Sequence, residues 1–247
     1  MCLTADELMK KAEKIVVIVQ ARIGSSRLPN KTMLSLHGYP VIEWVFRRIN
    51  KAEFPDCLVF AIPDTSPNDL LADFLKSLSA NVYRGNELDL LDRFYHSAKK
   101  WQATQIVRVT ADCPFVSGSE IDHLIEFFQA NECDYAYNHI PVNNRYPDGI
   151  GAEIMSFEVL ERLYNEAVEP YDREHVSTYI MSHPELFEMG TFDPKDPRIH
   201  FPSIRVDLDT PEDYEKLLSM KVNIDMEAYE IVRSAQALEK NRGAEKL

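Results

Sequence analysis

Ile15-Val16-Val17-Ile18-Val19 is an unbroken run of β-branched residues. A strand wet on one face alternates apolar with polar side chains. A run that is apolar throughout suits a central parallel strand covered on both faces. Similar segments return at 58–62, 81–84 and 105–110. Between them the apolar residues take a helical period. Pro40 opens one such stretch, with Val41, Val45 and Ile49, and Ile42 and Phe46 beside them, on one face. Others span 68–78, 88–101 and 117–131, the last with Ser117 and Glu120 spaced as a capping box. This alternation predicts an α/β fold, a mostly parallel central sheet with helices on both faces.

The second half is less regular. Residues 138–151 are polar and rich in turn formers. Strands are expected over 152–155, 188–192 and 203–208, and helices over 156–168, capped by Ser156, and 172–182. Thr210-Pro211-Glu212-Asp213 is a helix start, with an N-cap Thr, Pro at the first position and acids in the first turn. That helix reaches about Met220, and a last one spans 226–240. No Gly/Ser-rich linker interrupts the chain. One domain over 14–222 is therefore expected, with an inserted arm at 138–155 for an acceptor or a second subunit. A helical extension over 1–13 precedes it, and a C-terminal helix and tail over 223–247 follow.

Composition narrows the function. A chain of 247 residues, 45% hydrophobic and 27% charged, is an ordinary globular one. Its formal net charge of −13 repels duplex phosphate and argues against a nucleic-acid partner. Cys2, Cys57, Cys113 and Cys133 form no CxxC pair, which argues against zinc and for a reduced, cytoplasmic setting. Thr4-Ala5-Asp6-Glu7 reads as a helix cap, not a signal peptide. The apolar runs are too short for a membrane span.

In such an acidic chain, cations gathered in one loop stand out. Gln20-Ala21-Arg22-Ile23-Gly24-Ser25-Ser26-Arg27-Leu28-Pro29-Asn30-Lys31 directly follows the first strand. Ligands of open parallel sheets bind at the carboxyl ends of strands. Gly24 and the serines let backbone approach an anion, while Arg22, Arg27 and Lys31 supply charge. Neither a Walker A loop nor GxGxxG is present. Past the 105–110 strand, Arg108-Val109-Thr110-Ala111-Asp112-Cys113-Pro114 places Asp112 where a carboxylate can bind Mg²⁺ with phosphate oxygens, or simply form a turn. Asp207 and Asp209 along an extended segment are read as facing opposite ways, so only one of them is expected to join Asp112. Tyr146-Pro147-Asp148-Gly149 with Glu153, and Arg173-Glu174-His175, are polar groups suited either to a hydroxyl-rich acceptor or to plain turns and caps.

Taken together, VQARIGSSRLPNK, RVTADCP, YDREHV and DLDTPEDYE, in this order and spacing, resemble the cytidylyltransferases of the spore-coat polysaccharide protein F type. These are relatives of the CMP-Kdo and CMP-sialate synthetases. The likeness runs from about Lys14 to Met220. It implies a Rossmann-like nucleotide-diphospho-sugar transferase sandwich of the GT-A type, with CTP as cosubstrate and Mg²⁺ as cofactor. It also implies roles for particular residues. Gln20, Ala21, Arg22, Gly24, Ser25, Ser26, Arg27 and Lys31 would cradle the triphosphate; Arg108 and Thr110 would line the nucleotide site; Ala61 and Asp64 would lie near the base. Asp112 and Asp209 would hold the metal and, with Arg22 and Lys31, carry catalysis. Tyr146, Asp148, Glu153, Arg173, Glu174 and His175 would be acceptor-side groups. Kdo enzymes carry Gly-Asp-Glu-Pro where this chain has Ala111-Asp112-Cys113-Pro114, which argues against Kdo itself as acceptor.

The implied reaction transfers CMP from CTP to a sugar or sugar acid, releasing pyrophosphate, in surface polysaccharide or glycan synthesis by a homodimer. Two other readings share the fold: a glycosyltransferase consuming a nucleotide-sugar, and a non-catalytic nucleotide-binding relative.

Overall fold

The computed structural model describes residues 13–244. The helix expected over 1–13 therefore lies, apart from Glu13, outside the described residues. Strand β1 (Ile15–Gln20) is followed by a small hairpin, β2 (Ser35–Leu36) and β3 (Tyr39–Pro40), and by helix α1 (Val41–Ile49). Strands β4 (Cys57–Pro63) and β5 (Asn81–Gly85) extend the sheet on one side of β1, and β6 (Gln105–Thr110) pairs with β1 on the other. Beyond β6 come β8 (Glu153–Ser156), β7 (Tyr135–Tyr137) and β9 (Met189–Thr191), in the spatial order β5-β4-β1-β6-β8-β7-β9. Strand β8 alone runs against the rest.

Side chains of a strand alternate between faces, and both faces of β1 are covered. Val17 and Val19 pack with α1, α2 (Asp69–Ser77) and α4 (Gly118–Ala130). Val16 and Ile18 pack with α3 (Leu90–Trp101) and α5 (Phe157–Glu166). That two-sided burial is why the run contains no polar residue. A third core lies off the sheet, where α8 (Pro211–Ser219) and α9 (Ala228–Ala244) meet Trp44, Phe115, Tyr146, Val206 and Leu208. Trp44 meets Phe115 edge-on with ring centres 5.3 Å apart, and its indole N–H donates to the Leu36 carbonyl at 2.6 Å.

Three local expectations are corrected. The helix over 172–182 is two short ones, α6 (Pro170–Glu174) and α7 (Thr178–Ser182), with His175 extended between them. The Thr178 hydroxyl bonds the His175 carbonyl at 2.7 Å and the Asp172 carboxylate at 2.8 Å, local bonds that compete with a continuous helix. Residues 203–208 are extended but join no sheet; Ile204, Val206 and Leu208 turn into the third core, and one bridge links Arg205 to Asp148. Ser117 does not cap α4: its hydroxyl pairs with Ser119, and Glu120 turns instead to the Tyr146 hydroxyl at 2.7 Å. Strand β7 and the β2–β3 hairpin go beyond the expected elements.

Segment 138–155 lies against its own subunit. The Asn138 side chain donates to the Glu120 carbonyl at 2.9 Å and accepts from Ala152 N–H at 2.8 Å. Gly151 must be glycine here, since a Cβ would stand 2.2 Å from the Asn138 carbonyl oxygen. Tyr146 and Ile150 are buried, whereas Val142 is exposed. No helix among the described residues is long and apolar enough to cross a membrane.

From β1 the chain passes outward to β4 and β5, then returns to β6 on the other side of β1. Such a reversal opens a crevice at the strands' carboxyl ends. Gln20 and Thr110, paired in register, end β1 and β6 at this crevice.

Candidate active site

The loop after β1 is pinned at its ends and free in its middle. Ile23 N–H donates to the buried Asn68 side chain at 2.9 Å, and the Thr32 hydroxyl to the Arg22 carbonyl at 3.4 Å. Leu28 anchors it in the third core. Between these holds Gly24, Ser26 and Arg27 are exposed, and nothing lies within 4 Å of where a Gly24 Cβ would sit. An anchored backbone with open space before it suits close approach of an anion.

Lys31, at the end of this loop, is the centre of the site. Its Nζ donates to Asp112 Oδ2 at 2.9 Å, to Asp209 Oδ1 at 3.0 Å and to the Leu208 carbonyl at 3.1 Å. A backbone bond of 2.7 Å, from Leu208 N–H to the Asp112 carbonyl, ties the two carboxylate-bearing segments together. Burial acts to lower the lysine's pKa, but Asp112 and Asp209 outweigh it and the net shift is upward. Burial likewise acts to raise Asp112, and Lys31 with Thr110 hold it below its ordinary value. Lys31 is therefore an ammonium and Asp112 a carboxylate at neutral pH. The neighbouring Cys113 thiol is pushed well up by burial and by Asp112, so it is no nucleophile. Asp209 Oδ1 also receives Arg27 at 3.1 Å. Contrary to the expectation from the sequence, Asp207 does not face the other way. With Val206 and Leu208 turned into the third core, it shares the opposite face with Asp209 and lines the same cleft, gripped by Arg205 at 2.5 and 2.6 Å.

Beside them Gly149, at φ +91°, lets its backbone run close to Asp207; a Cβ there would be 2.8 Å from the Asp207 nitrogen. This close approach brings Asp148 next to Asp207. Burial and the Asp207 charge raise Asp148 to about 6. Deeper still, Arg108 is fixed by Glu153 at 2.6 Å and by Gln20 at 2.9 Å, and His139 Nε2 lies 3.0 Å from the same Glu153 oxygen. Burial acts to raise Glu153, but Arg108 and His139 prevail and hold it far below the usual carboxylate range.

A cleft of about 380 Å³ joins these groups. Its walls hold Gln20, Ala21, Arg22, Gly24, Ser25, Ser26, Arg27, Lys31, Arg108, Thr110, Asp112 and Asp209, and also Asp148, Glu174 and His175. Five expected residues do not line it. Ala61 is fully buried within β4, and Asp64 points at Arg84, 3.1 Å away. Tyr146 is in the third core, closed off from any acceptor, and Glu153 lies behind Arg108 and His139. Arg173 is a brace: it pairs with Asp89 at 2.6 Å and donates to the Tyr164 carbonyl at 2.8 Å, fixing the short helix that presents Glu174. Glu174 in turn reaches Arg22 at 3.8 Å.

Several lining residues were not among the expected ones, the cationic Arg93 and His139 among them. Arg93 is buried on α3 with its Nε unpartnered, and burial followed by the nearby Arg22 lowers it to about 10. Its signal was present, because a cation three residues after Leu90 falls on that helix's apolar face. His139 had none, standing in an irregular segment.

Two carboxylates and a carbonyl around one cationic nitrogen are hard oxygen donors, the set a divalent cation takes. Among the described residues no group of three or more His, Cys, Asp or Glu is arranged to hold a metal ion. Phosphate oxygens would have to complete the shell.

The model of one family, described as cytidylyltransferase, matches residues 16–240. This chain belongs to that family. As a cytidylyltransferase it is a CTP-dependent nucleotidyltransferase, which sets aside the glycosyltransferase reading. An uncharacterized protein, MJ1063, of Methanocaldococcus jannaschii is 33% identical over 92% of this chain and 91% of its own. The spore coat polysaccharide biosynthesis protein SpsF of Bacillus subtilis is 31% identical over 83% of this chain and 85% of its own. Among solved structures, a cytidylyltransferase from Leptospira borgpetersenii serovar Hardjo-bovis has a TM-score of 0.82 at 27% identity, covering 94% of this chain and 96% of that one. This cytidylyltransferase therefore shares its whole architecture with a solved relative, including the Rossmann-like sheet.

Proposed function

We propose that this cytidylyltransferase moves the CMP group of CTP onto a hydroxyl of a sugar or sugar acid, for surface polysaccharide or glycan synthesis in the cytoplasm. The observation that carries this is Lys31, which joins the anion-binding loop to Asp112 and Asp209 in one cleft. In the reaction an acceptor oxygen bonds to the α-phosphorus in line, the bond from that phosphorus to the bridging oxygen breaks, and pyrophosphate leaves. The acceptor hydroxyl gives its proton to solvent water, so that CTP and the alcohol yield the CMP ester, pyrophosphate and one proton. Such chemistry asks the protein for positioning and charge neutralisation.

Arg22, Arg27 and Lys31 neutralise the departing pyrophosphate, and the Gly24–Ser26 backbone lies along it. Asp112 and Asp209 would hold Mg²⁺, which supplies Lewis-acid polarisation of the α-phosphate when bound. Asp148, Glu174 and His175 face the space left for the acceptor. The resemblance to the spore-coat branch supports this assignment of ends.

Asp112→Ala should abolish pyrophosphate release from CTP in the presence of an accepted sugar. It removes a metal-binding carboxylate and one of Lys31's two ionic partners at once. Turnover undiminished in that variant overturns the assignment.

A further inference from the structure

Resting on that reading, we infer that Lys31 and a divalent cation compete for the same oxygens, so that CTP must draw the lysine aside before the cation settles on Asp112 and Asp209. The ammonium has three N–H donors and each has an acceptor, at 2.9, 3.0 and 3.1 Å. Those acceptors belong to three residues and converge on one point. A divalent ion placed among them would meet the ammonium at a distance where two cations repel strongly in a partly buried site. Lys31 and the ion therefore exclude each other.

Asp209 adds a second obstacle. Its Oδ1 already receives Arg27 at 3.1 Å, and Arg205 lies 3.5 Å from its Oδ2. Three side-chain cations thus surround one carboxylate, and an incoming divalent ion would enlarge an existing positive excess. A triphosphate removes both obstacles. It brings negative charge, and it offers Lys31 new partners along the wall where Ser25 and Ser26 lie in the same cleft. The lysine's four-carbon stem can follow it. Nucleotide and metal therefore promote each other's binding, and by linkage the effect is reciprocal. Lys31 is the element that couples them.

The experiment titrates Mn²⁺ alone, without nucleotide, into the full chain and reads free Mn²⁺ by electron paramagnetic resonance. Lys31→Met should bind Mn²⁺ about tenfold or more tighter than wild type, the scale of one charge-assisted hydrogen bond. Lys31→Arg, which keeps the charge, should stay as weak as wild type. Adding Asp112→Asn to Lys31→Met should cancel the gain and so place the ion. Near-ultraviolet circular dichroism confirms that each variant is folded. Equal or weaker Mn²⁺ binding by folded Lys31→Met overturns the competition. If wild type still releases pyrophosphate from CTP, that result leaves the proposed function intact. Failure of wild type to release it counts against the function, whatever the Mn²⁺ affinities.

Discussion

Asp148 and Arg27 show how single residues divide the cleft between two kinds of charge. Asp148 is a carboxylate whose folded pKa, about 6, lies above its unfolded value of about 4. The folded protein thus binds this proton more tightly than the unfolded chain does. The benefit is complete below about pH 4 and is lost as pH rises through 6. Asp148→Asn should therefore stabilise the ligand-free protein at pH 8 by about 1–3 kcal/mol and leave it nearly unchanged at pH 4. Urea melts at the two pH values measure this. A gain of equal size at both would show that the carboxylate's charge is not the cause. Arg27 is exposed, and its partner is Asp209. Arg27→Ala should weaken CTP binding by about 1–3 kcal/mol, with calorimetry as the measure. An unchanged affinity would place Arg27 off the phosphates.

Among the elements, the regular ones were legible and the irregular ones were not, for physical reasons. Strand β1 announced itself because burial on both faces leaves no room for polar residues. Strands β4, β5 and β6 were legible from their place in the strand–helix alternation, although β5 is a half-exposed edge and β6 carries Gln105 and Arg108. Helix α8 was legible because Thr210 and Asp213 bond each other's backbone in a full capping box. Ser117 carried a similar signature and failed, because Glu120 found a better partner in the buried Tyr146 hydroxyl. Tertiary contact outweighed a local pattern. Thr210→Ala should cost about 1 kcal/mol, and Ser117→Ala much less, in thermal unfolding. Comparable losses would mean that Ser117 caps after all. The site divides in the same way. The Gln20–Lys31 loop and the two aspartates lie in compact motifs legible from the sequence. His139, which the sequence did not show, follows Asn138, against which Gly151 packs backbone to backbone, a contact that no periodicity encodes. Tyr146, read as an acceptor contact from its polar neighbours, belongs to the third core.

For the whole molecule, ligand preference is read as stability. A ligand that binds only the folded chain raises its stability by about 2.7 kcal/mol at one hundred times its Kd. CTP with Mg²⁺ should shift thermal unfolding upward, whereas UDP- and GDP-sugars should not. The reverse ranking would contradict a cytidylyl donor. Asp112 and Asp209 belong to different bodies of the fold. Asp112 follows β6 of the sheet, while Asp209 ends a segment whose Ile204, Val206 and Leu208 are sunk among α8, α9 and Trp44. The two aspartates thus straddle a seam, held at the cleft by the Leu208–Asp112 backbone bond and by Lys31, and behind it by the third core. Heat or denaturant that loosens α8 and α9 would separate the carboxylates while the sheet still stands. Inactivation should then run ahead of the loss of secondary structure, which pyrophosphate release and far-ultraviolet circular dichroism followed through the same melt would check.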